Sequence, residues 1–218
     1  RITVGINPDG FDWELKPGEN FQTPEAVMVY SDNGLNEMSQ TFHKLYAKRL
    51  ARGYWRDRSR PILNNNWEAT YFDFTEDRLV KIAKKAKECG IELFVLDDGW
   101  FGNRRSDRSG LGDWIVNKKL LPNGIEGLAE RIEELGMQFG LWMINKDSNL
   151  YRQHPDWILQ TPGRTDSHGR YQYVLDFSRR EIVDYIYTMI AKILSGAKIS
   201  YIKWDMNRSI TECYSIAY

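Results

Sequence analysis

Ile91-Glu92-Leu93-Phe94-Val95-Leu96-Asp97-Asp98-Gly99-Trp100 reads as a β-strand that runs out into two carboxylates, with a glycine that lets the backbone turn. Just before it, Thr75 caps a helix that carries Glu76 and Asp77 in its first turn. Leu79, Ile82, Ala83, Ala86 and Cys89 fall on one face of that helix, and Gly90 follows its end. The same ending recurs in Tyr201-Ile202-Lys203-Trp204-Asp205-Met206-Asn207-Arg208, which is expected to be a buried strand. Side chains alternate along a strand, so Lys203 and Asp205 share one face while Ile202 and Trp204 share the other. Acids therefore gather at the carboxyl ends of strands, the edge where parallel α/β proteins bind ligands and break bonds.

Strand and helix alternate outward from this stretch, which predicts parallel strands joined by crossover helices, an α/β fold. Ile62 to Trp67 is a predicted strand ending in polar groups. Asn123 with Glu126 opens a helix with Ile125, Leu128, Ala129, Ile132 and Leu135 on its buried stripe, and the strand Met137 to Trp142 follows. Ser178 and Glu181 form the capping box of a third helix, which ends near Gly196 and leads into the strand ending at Asp205. The loop Phe101 to Pro122, with Arg104, Arg105, Asp107, Arg108, Asp113 and Trp114, is long enough to suggest a function.

Residues 1–30 are β-like, short alternating runs punctuated by glycine and proline, and read as the tail of an all-β unit. From Gly34 to about Arg52 the apolar residues take a helical spacing. The basic residues here read as a solvated helix face leading into a linker, in preference to a nucleic-acid patch, because the rest of the chain offsets their charge.

Thirty basic and thirty acidic residues cancel over 218 residues, so no global field argues for nucleic acid or an anionic membrane. With 42% apolar residues the chain can build a core. No apolar run approaches the roughly 20 residues of a membrane span. The Arg1-Ile2-Thr3 start has no secretory pattern, so a cytoplasmic location is expected, and the absence of an initiator Met fits a piece of something longer. The two cysteines have no metal-ligand spacing with each other or with His43, His154 or His168, so no metal or cofactor is expected. Eight Trp and twelve Tyr suit surfaces half apolar and half hydroxylated, such as sugar rings, although large cores also use aromatics.

Asp205 can serve as a covalent nucleophile toward an anomeric carbon when ionised, and Lys203 on the same face is expected to favour the ionised form. The plainer alternative is a structural ion pair. Asp97 and Asp98 read as two acceptors for adjacent hydroxyl groups, with metal binding the next option. Trp67 and Trp142, each at a predicted strand end, are pocket walls or core residues with equal weight. Arg170 donates a forked pair of hydrogen bonds to a ligand or binds a neighbouring carboxylate. There is no Gly-x-Gly-x-x-Gly, Walker loop or Gly-x-Ser-x-Gly elbow.

Asn65 to Phe72, Leu96 to Phe101, Leu111 to Trp114 and Lys203 to Arg208 occur in the order found in glycoside hydrolase family 36, the microbial α-galactosidases, which the whole chain resembles. The resemblance implies that residues 1–30 end an N-terminal β-sandwich domain, 31–59 form a linker helix, and 60–218 are the first half of a catalytic (β/α)8 TIM-type barrel. It implies a retaining glycosidase that releases terminal α-linked galactose from melibiose- or raffinose-type oligosaccharides, and it allows homo-oligomers. Asp205 matches the nucleophile. Asp97 and Asp98 match the hydroxyl acceptors, Lys203 and Arg170 sugar-contacting donors, and Trp67 and Trp142 walls of the galactose pocket, with Asn207 joining the binding set.

Two features depart from the family pattern. Its acid/base is an Asp on a later strand that this chain does not include, so the chain alone is expected to be inactive. Trp142 also runs straight into Met143-Ile144-Asn145-Lys146, where the family inserts a Phe-Glu-Pro-Glu-like segment. The alternatives are a galactosyltransferase of the raffinose-synthase type, with the Phe101 to Trp114 loop admitting a sugar in place of water, and a non-catalytic sugar-binding remnant.

Overall fold

The computed structural model describes residues 2–8, 11–107, 110, 114–144, 149–165, 169, 172–206, 209–211 and 213–217, apart from the side chains of 144 and 149. The chain divides into two units, Arg1–Arg60 and Pro61–Tyr218.

In the first unit the helical spacing produces α1 (Gly34–Leu45), which continues as a π turn over Tyr46–Leu50 and is followed by a 3-10 turn at Gly53–Trp55. The β-like runs of residues 1–30 form no strand among the described residues. An extended segment becomes a strand only when a neighbouring strand takes its N–H and C=O groups, and among the described residues the backbone bonds within this segment close local turns, Phe11 to Pro8 and Glu19 to Lys16.

The second unit is a four-stranded parallel sheet in the order β1 (Leu63–Asn65), β2 (Leu93–Leu96), β3 (Gln138–Ile144), β4 (Tyr201–Asp205). Chain order equals spatial order, as in a half-open barrel wall. Between the strands lie α2 (Trp67–Thr70), α3 (Glu76–Glu88), α4 (Gly124–Glu134), α5 (Asn149–Gln153) and α6 (Arg180–Gly196). Leu79 and Ala83 of the predicted α3 stripe and Ile125, Leu128 and Ile132 of the α4 stripe join Ile182 and Ile186 of α6 and Phe94, Leu96, Phe139 and Leu141 in one core, whereas Cys89, expected on the α3 stripe, is exposed at the helix end, and Val80, not expected there, is buried.

Helix entry differs from expectation at two of three places. Thr75 caps α3 as predicted, its hydroxyl accepting from the Arg78 N–H at 3.3 Å. Asn123 instead gives its amide to Glu76 at 2.9 Å. Ser178 donates to Asp176 at 2.5 Å, and neither α4 nor α6 has a side-chain cap. A buried carboxylate is a stronger attraction for a short polar side chain than a partly solvated helix end. Glu76 is that carboxylate at α4, buried and also ion-paired to Arg131 at 2.7 Å.

β4 is not the buried strand expected. Tyr201, Ile202 and Trp204 are exposed, because among the described residues β4 pairs with β3 along one side only. β3 itself runs past Trp142, with Met143 opposite Trp204 and Ile144 opposite Asp205. The segment that follows, at 145–148, lies outside the described residues.

Candidate active site

The carboxyl ends of the strands bring together most of the residues singled out from sequence. Asp97 and Asp98 leave β2 at 3% and 5% exposure. Gly99 makes the turn at φ +100°, and a Cβ there would lie 2.9 Å from Phe72 Cδ1, so the glycine is required both by its backbone and by the ring packed on it.

The neighbouring acids have separate partners, consistent with their side chains starting toward opposite sides of the strand. Asp97 Oδ2 accepts from Lys203 Nζ at 2.8 Å and from the Asn65 amide, so side chains of β1 and β4 meet at the end of β2. Its Oδ1 accepts the Asp98 N–H at 2.8 Å, and its own N–H donates to Asn66 Oδ1 at 2.7 Å. Asp98 is held by Arg104, whose Nε reaches Oδ1 and Nη2 reaches Oδ2, each at 2.5 Å. Burial pushes the Asp98 carboxyl above its ordinary range, opposed by the Arg104 guanidinium.

Lys203 thus pairs with Asp97 and not with Asp205, the partner its spacing along the strand suggested. Strand alternation was read correctly, but the nearest carboxylate on that face lies across the sheet, within reach of a long flexible stem. Asp205 is half-buried, and its Oδ2 accepts from the Trp142 indole Nε1 at 3.0 Å.

Trp142 lies within β3 and is 2% exposed. Its ring is stacked on Phe101 at 6.2 Å with 7° between planes, and its carbonyl accepts from Trp100 Nε1 at 3.0 Å. It is both a core residue and the donor that orients Asp205. Trp67 opens α2 instead of ending β1, half-buried, with its N–H held by Asn65 Oδ1 at 2.8 Å and its ring met edge-on by Tyr71 and Phe72. Tyr71 ends α2 at φ +45°, the one non-glycine residue in the left-handed region among those described. Arg170 and Asn207 lie outside the described residues.

Two participants were missed. Asn65 links Asp97 to Trp67, and Arg104 neutralises Asp98. Their signals were present, an amide at a strand's carboxyl end and an arginine in the loop after an acidic pair, but neither residue type identifies its partner at a distance. No group of three or more His, Cys, Asp or Glu poised for a metal occurs among the described residues.

A family profile described as Melibiase matches residues 20–218. The chain is 62% identical over 221 aligned positions to alpha-galactosidase AgaA of Geobacillus stearothermophilus, covering all of this chain and 30% of the relative. It is 54% identical to alpha-galactosidase Mel36A of Lactobacillus acidophilus, covering 98% of this chain and again 30% of the relative. A crystal structure of a Geobacillus stearothermophilus GH36 AgaA variant in complex with raffinose superposes with a TM-score of 0.94 at 61% identity, over 98% of this chain and 30% of that one. The chain therefore spans about a third of the length of the curated relatives it matches.

Proposed function

The chain belongs to the melibiase family, and from that premise we propose that it is the N-terminal part of the catalytic region of a retaining α-galactosidase. Residues 60–218 supply the first half of a (β/α)8 barrel, 31–59 a linker helix and 1–30 the end of a β-sandwich. Four parallel strands in sequential order support the barrel assignment.

One observation carries the proposal. Lys203 ties Asp97 at the end of β2 to β4, and the next residue on the same face of β4 is Asp205. A carboxylate oriented by an indole N–H and a second, charge-compensated carboxylate thus lie at the same edge of the sheet, where chemistry is done. Asp205 attacks the anomeric carbon as the bond to the leaving oxygen breaks, and an acid about 5 to 5.5 Å away gives that oxygen its proton. The same group then takes a proton from the water that releases galactose. Asp97 and Asp98 accept from galactose hydroxyls, Lys203, Arg170 and Asn207 contact the sugar, and Trp67 and Trp142 wall the pocket.

The acid/base lies on a later strand in this assignment, so the 218-residue chain by itself does not turn over. Substrates are melibiose- or raffinose-type α-galactosides, in keeping with a net charge of zero and with the raffinose bound by the AgaA variant. A cytoplasmic location agrees with two exposed, unbridged cysteines. No helix among the described residues is long and apolar enough to cross a membrane. Homo-oligomerisation rests on family resemblance alone.

The test is covalent trapping. A fluorinated galactosyl reagent should label the full-length protein on the peptide containing Asp205, and Asp205→Asn should abolish both labelling and turnover of an aryl α-galactoside. Labelling elsewhere, or none in a protein that still binds galactose, would remove Asp205 from its role. Turnover by the isolated 218-residue chain would refute its inactivity.

A further inference from the structure

Arg104 is 2% exposed and has no part in the chemistry assigned above. Its guanidinium forks onto both oxygens of Asp98, and its Nη1 donates to the Ser106 carbonyl at 3.0 Å. Its Cζ stands 5.4 Å from the centre of the Phe72 ring. The next residue, Arg105, donates to the Phe72 carbonyl at 2.6 Å, so two consecutive arginines clasp the segment that also carries Trp67's ring partner. Gly110 closes over the back of the clasp at φ +70°, where a Cβ would come within 3.2 Å of Arg104 Cβ and 3.3 Å of its backbone.

This geometry restricts what Asp98 can do. A carboxylate offers about four acceptor directions. The guanidinium fork takes one on each oxygen, leaving the outer directions for donors from outside. Only a planar fork can fix the rotation of a carboxylate in this way; an ammonium acts as a point charge. Among the described residues, the charged groups facing Asp98 are Arg104 from the loop and Asp97 from the end of β2, the latter already held by Lys203 of β4 and Asn65 of β1.

We propose that Arg104 is a positioning residue of the sugar site, holding the Asp98 carboxyl at one rotation so that its remaining acceptor directions meet substrate hydroxyls. The inference rests on the α-galactosidase assignment. It gives the first turn of the Phe101 to Pro122 loop a role in substrate affinity, not in bond cleavage.

The experiment is steady-state kinetics on the full-length protein with an aryl α-galactoside. Arg104→Lys keeps the charge and loses the fork, and should raise KM by about tenfold while kcat stays within about threefold. Arg104→Gln should raise KM further and move the acid limb of kcat/KM to higher pH, because a buried Asp98 without its cation keeps its proton longer. The double variant Arg104→Gln with Asp98→Asn removes the unpaired buried charge, so it should regain thermal stability and not KM. If Arg104→Gln does not fold, Arg104→Lys and the double variant decide the matter. Variants that lose stability alone, with the parent's KM and acid limb, would overturn the inference. No turnover by the unchanged protein would sink the α-galactosidase assignment and this inference with it; turnover unaffected by Arg104→Lys would sink the inference only.

Discussion

β2 lies between two strands and all of its residues are buried, whereas β4 pairs along one side and its Trp204 is 53% exposed. Each strand delivers acid to the same edge of the sheet, but the acids have different surroundings. A carboxylate leaving a fully packed strand must bring its compensation with it, since burying an unpaired charge is costly. Asp97 therefore has Lys203 and Asn65, and Asp98 has Arg104. Such acids are held still by their partners. Asp205 is half-buried and accepts from the Trp142 indole.

The contrast can be broken at the central strand and sharpened at the edge, by urea denaturation of the isolated chain. The largest effect is expected from Phe94→Ala, which empties a fully buried position in β2 and should cost about 3 to 5 kcal/mol. Gly99→Ala adds a Cβ 2.9 Å from the Phe72 ring and imposes a left-handed φ on a residue that resists it. A cost of about 1 to 3 kcal/mol is expected, and a neutral result would mean that the turn bearing Asp97 and Asp98 is not pinned by Phe72. Trp204→Ser on β4 should change stability least, by about 0.5 kcal/mol or less. Repeating it in the full-length protein sharpens the comparison: a markedly larger cost there would mean that the open side of β4 is covered in the intact barrel.

The fold was legible wherever periodicity and punctuation agree. Leu79 and Ala83 of α3 and Ile125, Leu128 and Ile132 of α4 follow one face, and glycines stand just past both helix ends, at Gly90 and Gly136. Residues 1–30 carried alternation without a described partner, and alternation alone does not make a sheet. At the site, the positions of Asp97, Asp98 and Asp205 at strand ends were legible because a strand's direction and its last residue are local properties. The ion pairs were not. Lys203 with Asp97 and Arg104 with Asp98 depend on how four strands and a loop are laid beside one another.

By itself the sequence determined the strand–helix alternation, the face shared by Lys203 and Asp205, and the gathering of acids at carboxyl ends, since these follow from backbone geometry and apolar spacing within a few residues. Only the tertiary structure decided that the ammonium serves Asp97, that an indole orients Asp205, and that an arginine no motif pointed to holds Asp98. Charges choose partners by distance and burial, and both quantities exist only once segments far apart in the chain have packed together.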